Sequence, residues 1–79
     1  MKPLHIERHA RLEAEEAVNY YEQQREGLGD EFMAELDEAY ARIERMPQMF
    51  SRFRQTGFRK CFVNRFPYTV YFEELDDII

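Results

Sequence analysis

The sequence predicts an α+β fold: a helical hairpin packed on one face of a small antiparallel sheet, in the order β-α-α-β-β-β with the last strand incomplete. Three observations carry this expectation. Apolar residues recur at helical spacing through the first half of the chain. Gly27-Leu28-Gly29 interrupts that pattern midway, and Pro47 ends it. After Pro47 the period shortens to alternation, with β-branched and aromatic residues in the alternating positions.

Each element follows in order. Pro3-Leu4-His5-Ile6 alternates in its last three positions and reads as a short first strand. Helical signals begin near Glu7 and run to about Arg25, with Ala10, Ala14, Ala17, Val18 and Tyr21 forming an apolar stripe. Glu13, Glu15, Glu16 and Glu22 fit the solvated side and crowd toward the start of this helix, where its dipole favours anions. Tyr20 and Tyr21 are adjacent and cannot share a helix face, so one belongs to the core and the other is partly exposed. Gly27 can take positive φ and close the first helix, leaving Asp30 to cap the second. Phe32, Leu36, Ala39, Tyr40, Ile43 and Met46 define the apolar face of that second helix. So short a connection makes the two helices an antiparallel hairpin.

Beyond Pro47, Met49 to Arg54 alternates loosely and reads as a strand. Phe58 to Val63 is a stronger one, with Phe58, Lys60 and Phe62 on one face and Arg59, Cys61 and Val63 on the other. Asn64-Arg65-Phe66-Pro67 forms a turn, and Tyr68 to Phe72 is rich in strand formers. Asp76-Asp77 signals a further turn, and Ile78-Ile79 opens another strand.

At 79 residues the chain makes a single domain, and a chain of this size buries only about 60% of its unfolded surface. Seven Phe and five Tyr supply large buried area per residue. One cysteine excludes an intrachain disulfide and points to a reducing compartment. The start of the chain carries no apolar run of the signal-peptide kind, and no stretch approaches the length of a membrane span. A cytoplasmic protein without membrane contact is expected.

The net charge of −5 is unevenly distributed. Residues 1–44 carry −7, residues 45–70 carry +6 with no acid among them, and residues 71–79 carry −4. Charge in blocks predicts distinct fields on distinct surfaces. The basic block makes Arg52, Arg54, Arg59, Lys60 and Arg65 the candidates for binding a target or an acidic partner. The aromatic residues among them suit a nucleic-acid grip or, more simply, a core beneath the helices. His5 and His9 are four apart, but His5 falls in the predicted strand and no third ligand is near, so no metal site is expected. Cys61 reads as a buried thiol, not a nucleophile, and no cofactor is implied.

Four pieces of the chain match a known pattern, in order and in spacing. They are Ala17-Val18-Asn19-Tyr20-Tyr21-Glu22-Gln23-Gln24, then Gly27-Leu28-Gly29-Asp30-Glu31-Phe32 leading to Ile43 and Pro47, then Gly57-Phe58-Arg59-Lys60, and last Arg65-Phe66-Pro67-Tyr68-Thr69-Val70-Tyr71-Phe72. Together they resemble the RelE/ParE toxin superfamily, in the branch called plasmid-stabilisation proteins. The resemblance covers nearly the whole chain. It implies the same α+β fold and the toxin role in a type II toxin–antitoxin system, causing growth inhibition until a cognate protein antitoxin neutralises it. It implies an essential target as well. RelE-like members cleave messenger RNA in the ribosome, and ParE-like members poison DNA gyrase without cleaving anything.

The RelE mechanism needs a base, a cationic clamp and an acid around one phosphate. Arg59 and Lys60 match the basic strand of that mechanism. Thr69 stands where an arginine is expected, and the usual last strand and tail would lie past Ile79. The resemblance therefore implies a toxin domain over residues 1–79 that lacks this strand and tail. Its catalytic residues are unassigned, and a sheet edge left open would allow self-association. Inhibition by binding, an endoribonuclease of RelE type, and a relic that only binds antitoxin all remain open at this point.

Overall fold

The computed structural model describes residues 3–52, 57–75 and 78–79. Its regular structure is two helices, α1 (Arg8–Gln24) and α2 (Leu28–Arg45), and a two-stranded antiparallel sheet of β1 (Phe58–Phe62) and β2 (Thr69–Glu73).

In α1 the predicted stripe is partly realised. Ala14 is buried and Ala17, Val18 and Tyr21 are half-buried against α2, whereas Ala10 is exposed. Ala10 lines an open cleft near the chain ends and does not reach the seam between the helices. The two tyrosines divide as adjacency on a helix requires. Tyr21 packs its ring 5.1 Å from Phe32 and 4.9 Å from Phe66, while Tyr20 is 58% exposed.

The connection between the helices is a clip built by Glu22. Its carboxylate accepts the Gly27 N–H at 2.9 Å and the Gly29 N–H at 3.0 Å, amide groups at the N-terminus of α2 that have no helical acceptor. Gly27 sits at φ +87°, in the left-handed region that glycine adopts without a Cβ penalty. It is the N-cap of α2, so Asp30 lies within the first turn and not at the cap as the sequence suggested. The capping acceptor comes instead from the preceding helix. Helix α2 then buries Phe32, Leu36, Ala39 and Ile43. Met46, expected on the same face, is 55% exposed. The α-helix has ended at Arg45, and the chain passes into a 3-10 turn at Pro47–Met49.

The two strands pair with Cys61 opposite Val70 and Arg59 opposite Phe72. Alternation puts Arg59, Cys61, Val63, Val70 and Phe72 on the inner face, toward α2, and Phe58, Lys60, Phe62 and Tyr71 on the outer face. The core joins Phe32, Leu36, Ala39 and Ile43 of α2 to Cys61, Val63 and Phe72 of the sheet. Phe32 carries an aromatic cluster at the hairpin end, with Phe66 and Tyr68 each in edge contact with it.

The predicted order of six elements is realised as α-α-β-β among the described residues. Among the described residues the outer segments pair through single residues and form no regular strand. Arg52 bridges Arg59, and the Lys60 N–H donates to the Ser51 carbonyl at 3.0 Å, on the side of β1 away from β2. The Ile79 N–H donates to the Pro3 carbonyl at 3.1 Å, and the His5 N–H to the Ile79 carbonyl at 2.9 Å. Of the run predicted as a strand from Met49, Phe53 and Arg54 lie outside the described residues, as does the Asp76-Asp77 turn signal.

Candidate functional site

The helices cover one face of the sheet and leave the other open. Three rings stand on that outer face: Phe58 is 46% exposed, Phe62 61% and Tyr71 54%. So much exposed aromatic area on adjacent strands of a small domain marks a candidate contact surface. Lys60 lies among them, with its Nζ 5.4 Å from the centroid of the Phe62 ring, in cation–π range.

A second cation reaches the end of the sheet from α2. Arg42 Nη2 donates to the Phe62 carbonyl at 3.2 Å, and its Nε stands 3.9 Å from the Glu38 carboxylate. Arg42 and Lys60 both line a shallow pocket of about 290 Å³, together with Met49, Ser51, Phe62 and Asn64. Two cations beside an exposed ring and small polar groups can hold an anionic group, either a carboxylate or a phosphate. The ring adds a flat apolar surface on which a partner group can stack.

The five basic residues singled out in the sequence are dispersed by the fold. Lys60 is on the outer face. Arg59, its neighbour, alternates inward, is half-buried, and donates through Nη1 to the Phe50 carbonyl at 2.8 Å. Arg52 is exposed and lies across the bridge from Arg59. Arg65 sits in the turn between β1 and β2 with φ at +73°, and its guanidinium lies 2.6 Å from Glu31 and 3.6 Å from Glu35. These pairs tie the sheet's turn to the first turns of α2. Arg25 joins them at 3.1 Å from Glu31. The hydrogen bond from Arg65, and then that from Arg25, holds the Glu31 carboxyl below the usual carboxylate range. Arg54 lies outside the described residues.

Two sequence readings concern residues with no part in this surface. Cys61 is buried, and burial pushes its thiol above the ordinary value, which disfavours the nucleophilic thiolate. His9 pairs with Glu13 at 3.2 Å on the exposed side of α1, and no group of three metal-ligating side chains occurs among the described residues. No helix among those residues is long and apolar enough to cross a membrane.

Arg42 escaped the sequence reading because it stands in the acidic half of the chain, one turn from Glu38. By residue type Phe58 and Phe62 suit a core position first. The signal that separates them was present: they share the parity of Lys60 along β1, opposite to that of Cys61 and Val63. Comparisons with family models, with curated proteins and with solved structures found no match.

Proposed function

We propose that this chain is the toxin of a type II toxin–antitoxin pair, of the RelE/ParE type, and that it inhibits an essential machine (DNA gyrase or the ribosome) by binding. A cognate antitoxin neutralises it, and on this reading it works in the cytoplasm. The observation that carries the proposal is at the end of the sheet, where Lys60 of the outer face and Arg42 of α2 line one pocket beside the exposed Phe62. Such a surface is suited to an acidic protein segment or a nucleic-acid phosphate. The ordered set of motifs in the sequence supports the toxin class. The helical hairpin on an antiparallel sheet is consistent with it. On this reading the bonds of Ile79 to Pro3 and His5 mark the first strand and the opening of the last, in the order β-α-α-β-β-β.

Arg59 supports binding over catalysis. Its guanidinium is held by the Phe50 carbonyl on the inner side of the sheet, so it is not presented beside Lys60 as a phosphate clamp. The experiment is induction of the chain without antitoxin, compared with a Lys60→Ala, Phe62→Ala variant whose folding is verified by circular dichroism. Growth arrest by the parent that the variant relieves is the expected result. Absence of arrest by the parent, or arrest undiminished in the variant, overturns the proposal. Primer extension on translated message then identifies the RelE-type endoribonuclease if discrete cuts appear. A supercoiling assay reports on gyrase.

A further inference from the structure

Arg65 holds a backbone conformation that its own side chain disfavours. Among the described residues it is the one non-glycine at positive φ, at +73°. The Phe66 N–H donates to the Val63 carbonyl at 3.4 Å, closing a four-residue turn with Asn64 and Arg65 at its centre. Positive φ at the second central position alone is the pattern of a type II turn, and that position calls for Gly or Asn. The Cβ of any other residue crowds the following carbonyl oxygen there. A type I turn, which most residues adopt freely, differs by a flip of the peptide between the two central residues.

Groups outside the turn offset that cost. Glu31 and Glu35 stand one helical turn apart on α2 and both face the guanidinium, at 2.6 Å from Nη2 and 3.6 Å from Nη1. Arg25 holds Glu31 as well, at 3.1 Å. The guanidinium also lies over the Phe66 ring, 5.6 Å from its centroid, and Phe66 is in edge contact with Tyr21 and Phe32. A single exposed ion pair contributes little, but one guanidinium shared by two carboxylates of a helix is a network. The same turn carries one end of the Lys60–Arg42 pocket. Asn64 lines that pocket, and Phe62, whose carbonyl accepts from Arg42, ends β1 just before the turn. A flip of the Asn64–Arg65 peptide reverses the Asn64 carbonyl and the Arg65 N–H, and so changes the polar groups presented there.

We infer that the contact of Arg65 with Glu31 and Glu35 is a latch that holds the turn in its type II form and thereby sets the Asn64 end of the pocket. Arg65 is then a positioning residue: its charge faces α2 and not the target. The inference rests on reading the pocket as the toxin's contact surface, but the state of the turn can be followed without that reading.

The test follows the full-length, nitrogen-15-labelled chain by NMR and its growth arrest on induction without antitoxin. In the parent, Arg65 should show the strong intraresidue NOE between N–H and Hα that marks positive φ. The double variant Glu31→Ala, Glu35→Ala keeps good helix formers on α2 and removes both acceptors. Its left-handed population should fall about sixfold, the shift that corresponds to about 1 kcal/mol at one left-handed residue. The level of induced chain needed to halt growth should rise by the same factor. Adding Arg65→Gly to that variant should return the Asn64 and Phe66 amide shifts, and the arrest, to those of the parent, because glycine takes the type II position without a latch. Simple loss of stability would not be rescued in this way. An unchanged Arg65 NOE in the double variant overturns the latch. Arg65→Gly alone abolishing arrest while the turn's shifts stay in place also overturns it, since the guanidinium would then touch the target. No arrest by the parent overturns the toxin reading, and the NMR arm then decides the latch by itself.

Discussion

A methyl group at Gly29 tests how closely the two helices approach. An ideal Cβ there would lie 2.8 Å from the Val18 carbonyl oxygen and 2.9 Å from Glu22 Oε1. Intrinsic helix propensity favours Ala over Gly by about 1 kcal/mol, so an open site would be stabilised by the change. Two opposing effects are larger here. Forcing a carbon into packed backbone costs about 1–3 kcal/mol. Displacing the Glu22 carboxylate weakens the charged hydrogen bond from the Gly29 N–H, worth about 1.5–3 kcal/mol. The expected net loss for Gly29→Ala is about 2–4 kcal/mol, against a total stability of about 4–12 kcal/mol for a chain of this length. The melting temperature should fall by about 10 °C or more, and urea denaturation should give the same ordering of variants. Repeating the change in a Glu22→Ala background separates the two contacts. Its cost should shrink there without vanishing, because the Val18 carbonyl is backbone and stays in place. A Gly29→Ala chain as stable as the parent, or more stable, would refute this account of the hairpin.

Leu36 is 1% exposed at the centre of the α2 face, and Leu36→Ala should cost about 2–5 kcal/mol in chemical denaturation. Arg59→Ala should destabilise by about 1–2 kcal/mol, through loss of its bond to the Phe50 carbonyl. Lys60→Ala should stay within about 0.5 kcal/mol of the parent and act on binding alone; equal effects of the two on stability would contradict the facing assigned to β1. Glu31 gives a pH dependence of definite sign. Its folded-state pKa lies below the usual value of 4.5, so its contribution is complete above that pH and is lost as the pH falls through the lowered value. Glu31→Gln should flatten the acid limb of the stability profile, and an unchanged limb would show that the Arg65 and Arg25 contacts do not persist in solution.

Much of this fold was legible in the sequence because its signals are local. The helical period of Phe32, Leu36, Ala39 and Ile43 lies within one element, as does the parity that separates Phe58, Lys60 and Phe62 from Arg59, Cys61 and Val63. The stop at Pro47, the positive φ at Gly27 and the opposite fates of Tyr20 and Tyr21 follow from the chemistry of one or two residues. What tertiary structure alone decided was pairing between distant residues. Asp30 and Glu22 both carry a carboxylate able to cap α2, and only the approach of the helices selects Glu22. A block of six basic residues in sequence is not one field in space: Arg59 turns inward, Arg65 is held by Glu31 and Glu35, and Lys60 finds its neighbour in Arg42 of the acidic half. The clasp of Ile79 between Pro3 and His5, and the cleft beside it, belong to the same class. Period and parity are properties of a segment. The partner of a charge or of a backbone amide depends on which segments the core brings together.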